Sequence, residues 1–465
     1  MMNSSALTDK LDAFLPRFDL NGEQIDAIGT PQDFYNKLVT MIRGAKTRIF
    51  LSSMYISKDA FELRAAIRES LLANPNLKIS ILMDALRGGD TKDKNPAAML
   101  VPLAEEFGLK RVEVRLYRTP NLRGVWKWIV PQRMNEGFGL QHTKIYGVDD
   151  EDRYYHLASR EVTDYLESIH KALCGFSLLL TPDSSAEHTY ALQWPTTNHC
   201  TSPLEDARDF MKIARKVLSP LIRRDLNEKR ACSDEISGTD TIVYPLAQFA
   251  PLLGPDVSTE QRTIGIVLSA MGSKLFEGVR WTLSTPYFNP TPSMSVALLS
   301  TPASQGQMVT GAPEATSFYG TAGLTGYIPA AFTPQARRFL KSVEDNGRQQ
   351  QVQLLEWSRG RGDKPGGWTY HAKGLWITEP EEDDPSITII GSYNYGERSS
   401  RLDLEQDVMI VTKNEELKRQ IGKEENSILA NAQRVTREEL STGERRTQLI
   451  LYVLVWLIQL LGLSI

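Results

Sequence analysis

Apolar residues along the first third of the chain fall into short strand-like runs separated by longer stretches with helical spacing. The run RIFLSSMY, Arg48–Tyr55, lies between helix-like stretches at Pro31–Arg43 and Ala60–Leu72, an alternation that predicts an α/β unit. Further strand-like runs at Leu77–Met83 and Val112–Tyr117 lead into a glycine-rich passage ending GFGLQHTKIYGVD at Asp149. The order then recurs. VRWTLSTPY at Val279–Tyr287 mirrors RIFLSSMY, VQLLEWS at Val352–Ser358 mirrors VEVRLYR, and GGWTYHAKGLW from Gly366 mirrors GFGLQHTKIYG. Matching landmarks stand 232 (Tyr55 to Tyr287), 240 (Val112 to Val352) and 229 (His142 to His371) residues apart. Conserved order at a near-constant offset predicts two copies of one α/β unit, packed as a pseudo-dimer. The expected division is a first repeat at 1–200, a helical linker arm at 201–242, a second repeat at 243–440 and a tail at 441–465. Within the arm, Leu204–Asn227 reads as helix and Ala231–Asp240 as a polar connection. Within the second repeat, Thr301–Pro329, rich in Gly, Thr and Ala, reads as loop.

Composition narrows the possible partners. Lys and Arg number 53 against 57 Asp and Glu, a net charge of −4, so no global positive field favours a nucleic acid. The three cysteines, Cys174, Cys200 and Cys232, are too scattered for a disulfide framework and suit a reducing compartment. One segment departs from a soluble average: Leu449–Ile465, LILYVLVWLIQLLGLSI, carries no charge over 17 residues and follows Glu444, Arg445 and Arg446. It predicts an apolar helix that lies on a membrane or barely crosses one. The opening residues show neither the apolar core of a signal peptide nor an Arg-rich transit pattern.

Each copy carries a His and a Lys two residues apart, His142 with Lys144 and His371 with Lys373, on what reads as a strand, where both side chains share a face. A lone His-x-Lys is usually a surface pair. Two in a repeated frame suggest divided labour, one imidazole attacking an electrophile while the other protonates the leaving group. The lysines would neutralise the group attacked, which suits a phosphodiester or pyrophosphate. After the second copy, Gly391-Ser392-x-Asn394 offers a hydroxyl and an amide at a tight turn, either as phosphate donors or as a plain β-turn. Glu405 opens the next strand, placed either to hold a His Nδ1 proton or to be a solvated acid. His156, His170, His188 and His199 lack ligand-like spacing, and neither a metal site nor a cofactor is expected. Trp126, Lys127, Trp128 and Arg133 form an aromatic, basic loop suited equally to lipid head groups, nucleotide phosphates or ordinary packing.

These motifs, with PRFDLNGEQI, SILMDALRG, VYPLAQFAPLL and IIGSYNYGERSSRLDLEQD, resemble the paired His-Lys-Asp signature of the phospholipase D superfamily. Within it they are similar to the fungal branch of the mitochondrial phosphatidylglycerophosphate synthases, over residues 16 to 415. The resemblance implies two phospholipase D-like α/β repeats sharing one active site. It also implies transfer of a phosphatidyl group from CDP-diacylglycerol to glycerol 3-phosphate through a phosphatidyl-histidine, releasing CMP, at the mitochondrial inner membrane. His142 and His371 match the catalytic imidazoles, Lys144 and Lys373 the phosphate clamps, Asp149 the motif acid, and Ser392 and Asn394 the phosphate donors. Glu405 and Asp152 match as acids orienting the histidines. Two departures stand out. Thr378, with Glu379 beside it, replaces the second motif acid, and Lys144 to Asp152 spans 8 positions where Lys373 to Glu405 spans 32. The first copy therefore either lacks a core strand and half of the phosphate donors, or a segment is missing from the sequence as read. Another phosphatidyltransferase, a phospholipase D, or a catalytically impaired membrane-associated member of the family are the competing expectations.

Overall fold

A computed structural model describes residues 2–89, 95–121, 137–153, 155–186, 188–224, 238–254, 257–321, 326, 328–442 and 445. The apolar run at 449–465, the aromatic loop at 126–133, Cys232 and most of the 231–240 connection lie outside the described residues. Among the described residues no helix is long and apolar enough to cross a membrane.

The strands in chain order are β1 (Phe18–Leu20), β2 (Ile25–Asp26), β3 (Arg48–Ser52), β4 (Lys78–Asp84), β5 (Val112–Tyr117), β6 (Ile145–Val148), β7 (Asp152–Arg153), β8 (His156–Leu157), β9 (Leu178–Pro182) and β10 (Tyr190–Gln193). They continue as β11 (Thr241–Gln248), β12 (Arg280–Ser284), β13 (Gln305–Gly311), β14 (Val352–Trp357), β15 (Gly374–Thr378), β16 (Ile387–Gly391), β17 (Glu405–Thr412) and β18 (Ala432–Arg434). A six-stranded sheet runs β10-β9-β5-β4-β3-β6, a nine-stranded sheet β1-β11-β17-β16-β15-β12-β13-β14-β18, and β2-β8-β7 form a small third sheet.

The two large sheets share a local plan. In one, β3, β4 and β5 run parallel with β6 antiparallel beside β3; in the other, β12, β13 and β14 run parallel with β15 antiparallel beside β12. Even the register agrees: Ser52 faces Ile145 and Ser284 faces Gly374, each three residues beyond a motif histidine. The plans part at one edge. Past β15 the sheet continues through β16, β17 and β11, whereas β6 ends its sheet.

Alternation along the strands sorts their residues between two faces. Ile49, Leu51, Ile79 and Ile81 pack outward on Leu38, Ile42, Leu63 and Ile67 of the helices Pro31–Gly44 and Phe61–Ala73. Phe50, Leu82 and Tyr117 point inward, into a core they share with Trp376, Ile390, Val408 and Ile410 of the other sheet. Helices Arg160–Cys174, Ala207–Ile222 and Glu415–Leu429 fill that middle layer with Leu166, Phe210, Leu218 and Ile421. Full burial of each such side chain is worth about 1.5–3 kcal/mol, so one shared core couples the two sheets. Glu424 ties the β7–β8 turn of the small sheet to the nine-stranded sheet, accepting from Tyr155 Oη and, at 3.1 Å, from Trp376 Nε1 of β15.

Three expectations change. Thr301–Pro329 is not all loop, because it contains β13, a central parallel strand. Its glycine at 306 signals a turn in sequence, yet an added Cβ there would stand 2.4 Å from the Trp281 ring, so Gly306 serves close packing within the sheet. The helical part of the arm is no outlying connector, since Phe210, Ala214, Leu218 and Ile222 are buried in the shared core. The first repeat does not hold the whole N-terminal region, because β1 pairs with β11 at the edge of the nine-stranded sheet.

Candidate active site

The backbone leading to His142 is built against the other half of the molecule. Gly139 adopts φ 112°, and a Cβ there would stand 1.9 Å from the Leu402 carbonyl oxygen, so only glycine permits the approach. Beyond it the Leu140 N–H donates to Asp403 Oδ1 (2.9 Å), and the Gln141 N–H to Asp84 Oδ2 (2.9 Å). Leu404 N–H donates to the Leu140 carbonyl (2.8 Å), and His142 N–H to the Leu404 carbonyl (2.9 Å). This short parallel bridge takes residues 141–144 out of the ladder, so His142 and Lys144 precede β6 rather than lying on it. His371 and Lys373 likewise precede β15. The expected strand placement of both pairs is therefore corrected.

The bridge sets His142 opposite Glu405, the first residue of β17. His142 Nδ1 lies 2.8 Å from Glu405 Oε2, with the carboxyl fully buried and His142 5 % exposed. Burial drives the imidazole well below its usual value, and the Lys144 and Lys373 ammonium groups push the same way. Burial and the nearby Asp403 carboxylate drive Glu405 well above the usual carboxylate range, while Lys144 and the hydroxyls of Ser392 and Ser399 oppose them. A neutral imidazole whose Nδ1 is held by a carboxyl keeps Nε2 free to act.

The second imidazole has a different setting. His371 is exposed, its Nδ1 lies 2.9 Å from Lys373 Nζ, and that ammonium also donates to the His371 carbonyl (3.0 Å). The Lys373 charge is the largest cause holding His371 well below its usual value, and His142 and Lys144 add to it. Tyr287 meets the His371 ring edge-on at 6.0 Å. Lys144 donates to the His142 carbonyl at 2.7 Å. Burial lowers the lysine to about 8, with Glu405, Asp403 and Asp407 working against the fall. Lys373, 8 % exposed, is lowered to about 7 by burial and then by Lys144. Two imidazoles and two reluctant cations thus act on one another across the halves, an arrangement in want of an anion.

Other expected residues are arranged differently. Ser392 is fully buried; its hydroxyl accepts from the Gln406 N–H (3.0 Å) and its own N–H donates to Asp407 Oδ1 (2.6 Å), which fixes the turn after β16. Asn394 Nδ2 reaches Ser399 Oγ at 3.4 Å. Thr378 is buried in β15, and Glu379 beside it accepts from Ser386 Oγ (2.8 Å). Asp152 lies in β7, and its side chain is outside the described residues. Asp149 stands at the far end of β6 from His142. Its carboxylate accepts from the backbone N–H groups of Lys46, Thr47 and Arg48 (2.9, 2.9 and 3.1 Å) and from Thr47 Oγ1 (2.6 Å), bonds that hold it below its usual range against the opposing effect of burial. This is a brace for the start of β3. Asp149→Ala is expected to lower stability by about 2 kcal/mol, read as a fall in melting temperature, while kcat of the folded enzyme stays within about twofold.

Asp84 and Asp403, which anchor the His142 segment, escaped the sequence reading. Their signal is an acid closing or opening an apolar strand, where burial demands N–H donors: Asp84 also caps Leu86 and Arg87 (2.8 and 3.1 Å), and Asp403 pairs with Arg398 (3.3 Å). His170, buried between Ser52 and Ser80 hydroxyls at 2.8 Å each, is pushed down to about 3 by burial and packs as a core residue. Among the described residues no group of three or more His, Cys, Asp or Glu is arranged to hold a metal ion.

No protein-family model matches the chain. Curated proteins do. The chain is 34% identical to the CDP-diacylglycerol–glycerol-3-phosphate 3-phosphatidyltransferase of Saccharomyces cerevisiae, over 92% of this chain and 86% of that protein. It is 33% identical to the protein of the same name from Schizosaccharomyces pombe, over 90% and 91%. With the human protein, whose name adds "mitochondrial", it shares 30% identity over 94% and 82%. Among solved structures, a phosphatidylserine synthase from Haemophilus influenzae superposes with a TM-score of 0.70 over 99% of this chain and 98% of that one, at 20% identity, which shows a common fold. Identity of 30% or more sustained over nine-tenths of the sequence places the chain in a family: it belongs to the CDP-diacylglycerol–glycerol-3-phosphate 3-phosphatidyltransferases.

Proposed function

We propose that the chain transfers the phosphatidyl group of CDP-diacylglycerol to glycerol 3-phosphate, giving phosphatidylglycerophosphate and CMP for phosphatidylglycerol and cardiolipin synthesis. The observation that carries this reading is the buried His142–Glu405 pair, 2.8 Å apart and drawn from the two halves, beside Lys144 and Lys373. His142 Nε2 attacks the phosphatidyl phosphorus while Nδ1–H stays with Glu405. The bond from that phosphorus to the bridging oxygen breaks, and His371 hands CMP its Nε2 proton while its Nδ1 takes one from Lys373 Nζ, 2.9 Å away. A hydroxyl of glycerol 3-phosphate then returns its proton to His371 and attacks the same phosphorus, and the P–N bond to His142 breaks. Lys144 neutralises the non-bridging oxygens throughout, and Lys373 does so until it gives up its proton and again once the glycerol 3-phosphate proton has returned through His371. The carboxyl behind His142 and the ammonium beside His371 favour this division of roles. Asn394 is the better-placed phosphate donor, because the Ser392 hydroxyl already serves the Gln406 backbone.

The matching sheet plans and registers support two repeats related by a pseudo-twofold axis around this shared site. On that reading the first repeat is shortened: it lacks, among the described residues, counterparts of β16, β17 and the Gly391–Asn394 turn. The same reading sets the enzyme at the mitochondrial inner membrane, with the run at 449–465 as an anchor. The shortened edge also favours a second reading, a family member that binds lipid but turns it over poorly. Labelled CDP-diacylglycerol offered with glycerol 3-phosphate, serine, phosphatidylglycerol or water separates these: labelled phosphatidylglycerophosphate is expected, and no labelled lipid product with any acceptor would establish the second.

The lysines set a pH dependence. An ammonium lowered to about 7 or about 8 is charged below that pH and neutral above it, and an anionic phosphate binds only the charged form well. KM for CDP-diacylglycerol is therefore expected to climb as pH rises through 7 to 8, with kcat changing less because bound phosphate holds the lysines charged. Steady-state KM measured from pH 6 to pH 9 checks this, and a flat profile counts against the clamp.

A further inference from the structure

The segment from β14 to β15 carries His371 near its end and a distinct surface before it. Arg359, Arg361, Asp363, Lys364 and Trp368 are all exposed, three cations against one anion. Trp368, 38 % exposed, has the Arg359 guanidinium 4.5 Å from its ring centroid, and its backbone N–H donates to the Arg359 carbonyl (3.0 Å). Arg361 lies 5.2 Å from the Tyr319 ring centroid and pairs with Asp363 at 2.9 Å. The neighbouring Phe318 stands 5.9 Å from Tyr287, whose ring in turn meets His371. An aromatic path thus leads from the exposed rim to the imidazole.

A solvated loop has little use for an exposed indole with a guanidinium held against it. Tryptophan and tyrosine favour the zone between water and lipid, and arginine and lysine beside them favour anionic head groups. We propose that the Arg359–Trp368 rim, together with Tyr319, is a docking surface for an anionic lipid bilayer and sets the mouth of the site against it. The bilayer is favoured over a protein partner by the net positive charge of the rim and by its continuity with a site that takes a membrane lipid, so this inference rests on the function proposed above.

Two variants of the full chain test it: Trp368→Ala with Arg359→Gln, and the wholly surface pair Arg361→Gln with Lys364→Gln. Binding is read by sedimentation with phosphatidylcholine vesicles containing or lacking phosphatidylglycerol, and turnover by CDP-diacylglycerol dispersed in detergent micelles. Each variant, short of two cations or of one cation and the indole, is expected to lose roughly tenfold or more of the extra binding that phosphatidylglycerol confers on the vesicles, with micellar turnover as in the parent. Variants that bind like the parent, a parent indifferent to phosphatidylglycerol, or micellar turnover lost along with binding would each overturn the proposal. A parent that binds anionic vesicles through the rim but never forms phosphatidylglycerophosphate would count against the proposed reaction and leave the surface standing.

Discussion

His142→Ala is expected to lower phosphatidylglycerophosphate formation by at least roughly 10³-fold, the scale seen when a covalent nucleophile is removed and only binding and charge stabilisation remain. Among the described residues, His142 is the imidazole with a buried carboxyl at Nδ1, so no neighbour stands ready to replace it. Removing the ring also strands Glu405 in a fully buried position, which costs about 1–3 kcal/mol, so melting temperature should be followed alongside rate. His142→Asn keeps a polar group near the carboxyl and should lose activity with less loss of stability. His371→Ala removes the proton donor and should be less damaging than His142→Ala where the leaving group needs little protonation, as CMP does. Normal CMP release by both alanine variants would defeat the proposed chemistry.

Glu405→Gln is expected to cut kcat by roughly 10²–10⁴-fold while leaving melting temperature unchanged or higher. The rate falls because the amide presents the imidazole in either tautomer and so no longer keeps Nε2 free to attack. Stability does not fall with it, because Glu405 shares its buried surroundings with Asp403, Asp407 and Glu260. Asp407 is raised to about 6 by burial and by Glu405, and Glu260 is raised well above its ordinary range by burial, Asp407 and Glu405. A carboxyl whose folded pKa is raised resists ionisation, so its cost to the fold grows as pH rises above the ordinary carboxylate range. The parent should lose stability across that rise more steeply than Glu405→Gln. A variant that loses stability and activity together would make Glu405 a structural residue only.

The parts of the fold that announced themselves in sequence were those with strong apolar periodicity. Val112–Tyr117 is a strand with its expected bounds, and the helices at 31 and 61 begin within a residue of expectation. β13 was hidden because Gly306 interrupts it and Gly311 ends it, and only the Trp281 ring above Gly306 explains why a central strand needs a glycine there. Paired His-x-Lys motifs at a constant offset made the site legible, and Glu405 could be singled out because it opens the strand after them. What sequence spacing could not convey was contact across 263 positions. The bridge between Leu140–His142 and Leu402–Leu404 removes the motif from its strand and gives Gly139, Asp84 and Asp403 their roles. Asp149 misled for a related reason: its place in the motif suggests chemistry, whereas the length of β6 carries it to the opposite end of the sheet.

The most direct test of the account is capture of the enzyme-bound intermediate. CDP-diacylglycerol labelled at the phosphatidyl phosphorus, mixed with enzyme in the absence of glycerol 3-phosphate and quenched in base, should leave label on the peptide containing His142. A chase with glycerol 3-phosphate should move that label into phosphatidylglycerophosphate. Label on the His371 peptide, or product forming at full rate while no label ever rests on the protein, would contradict it.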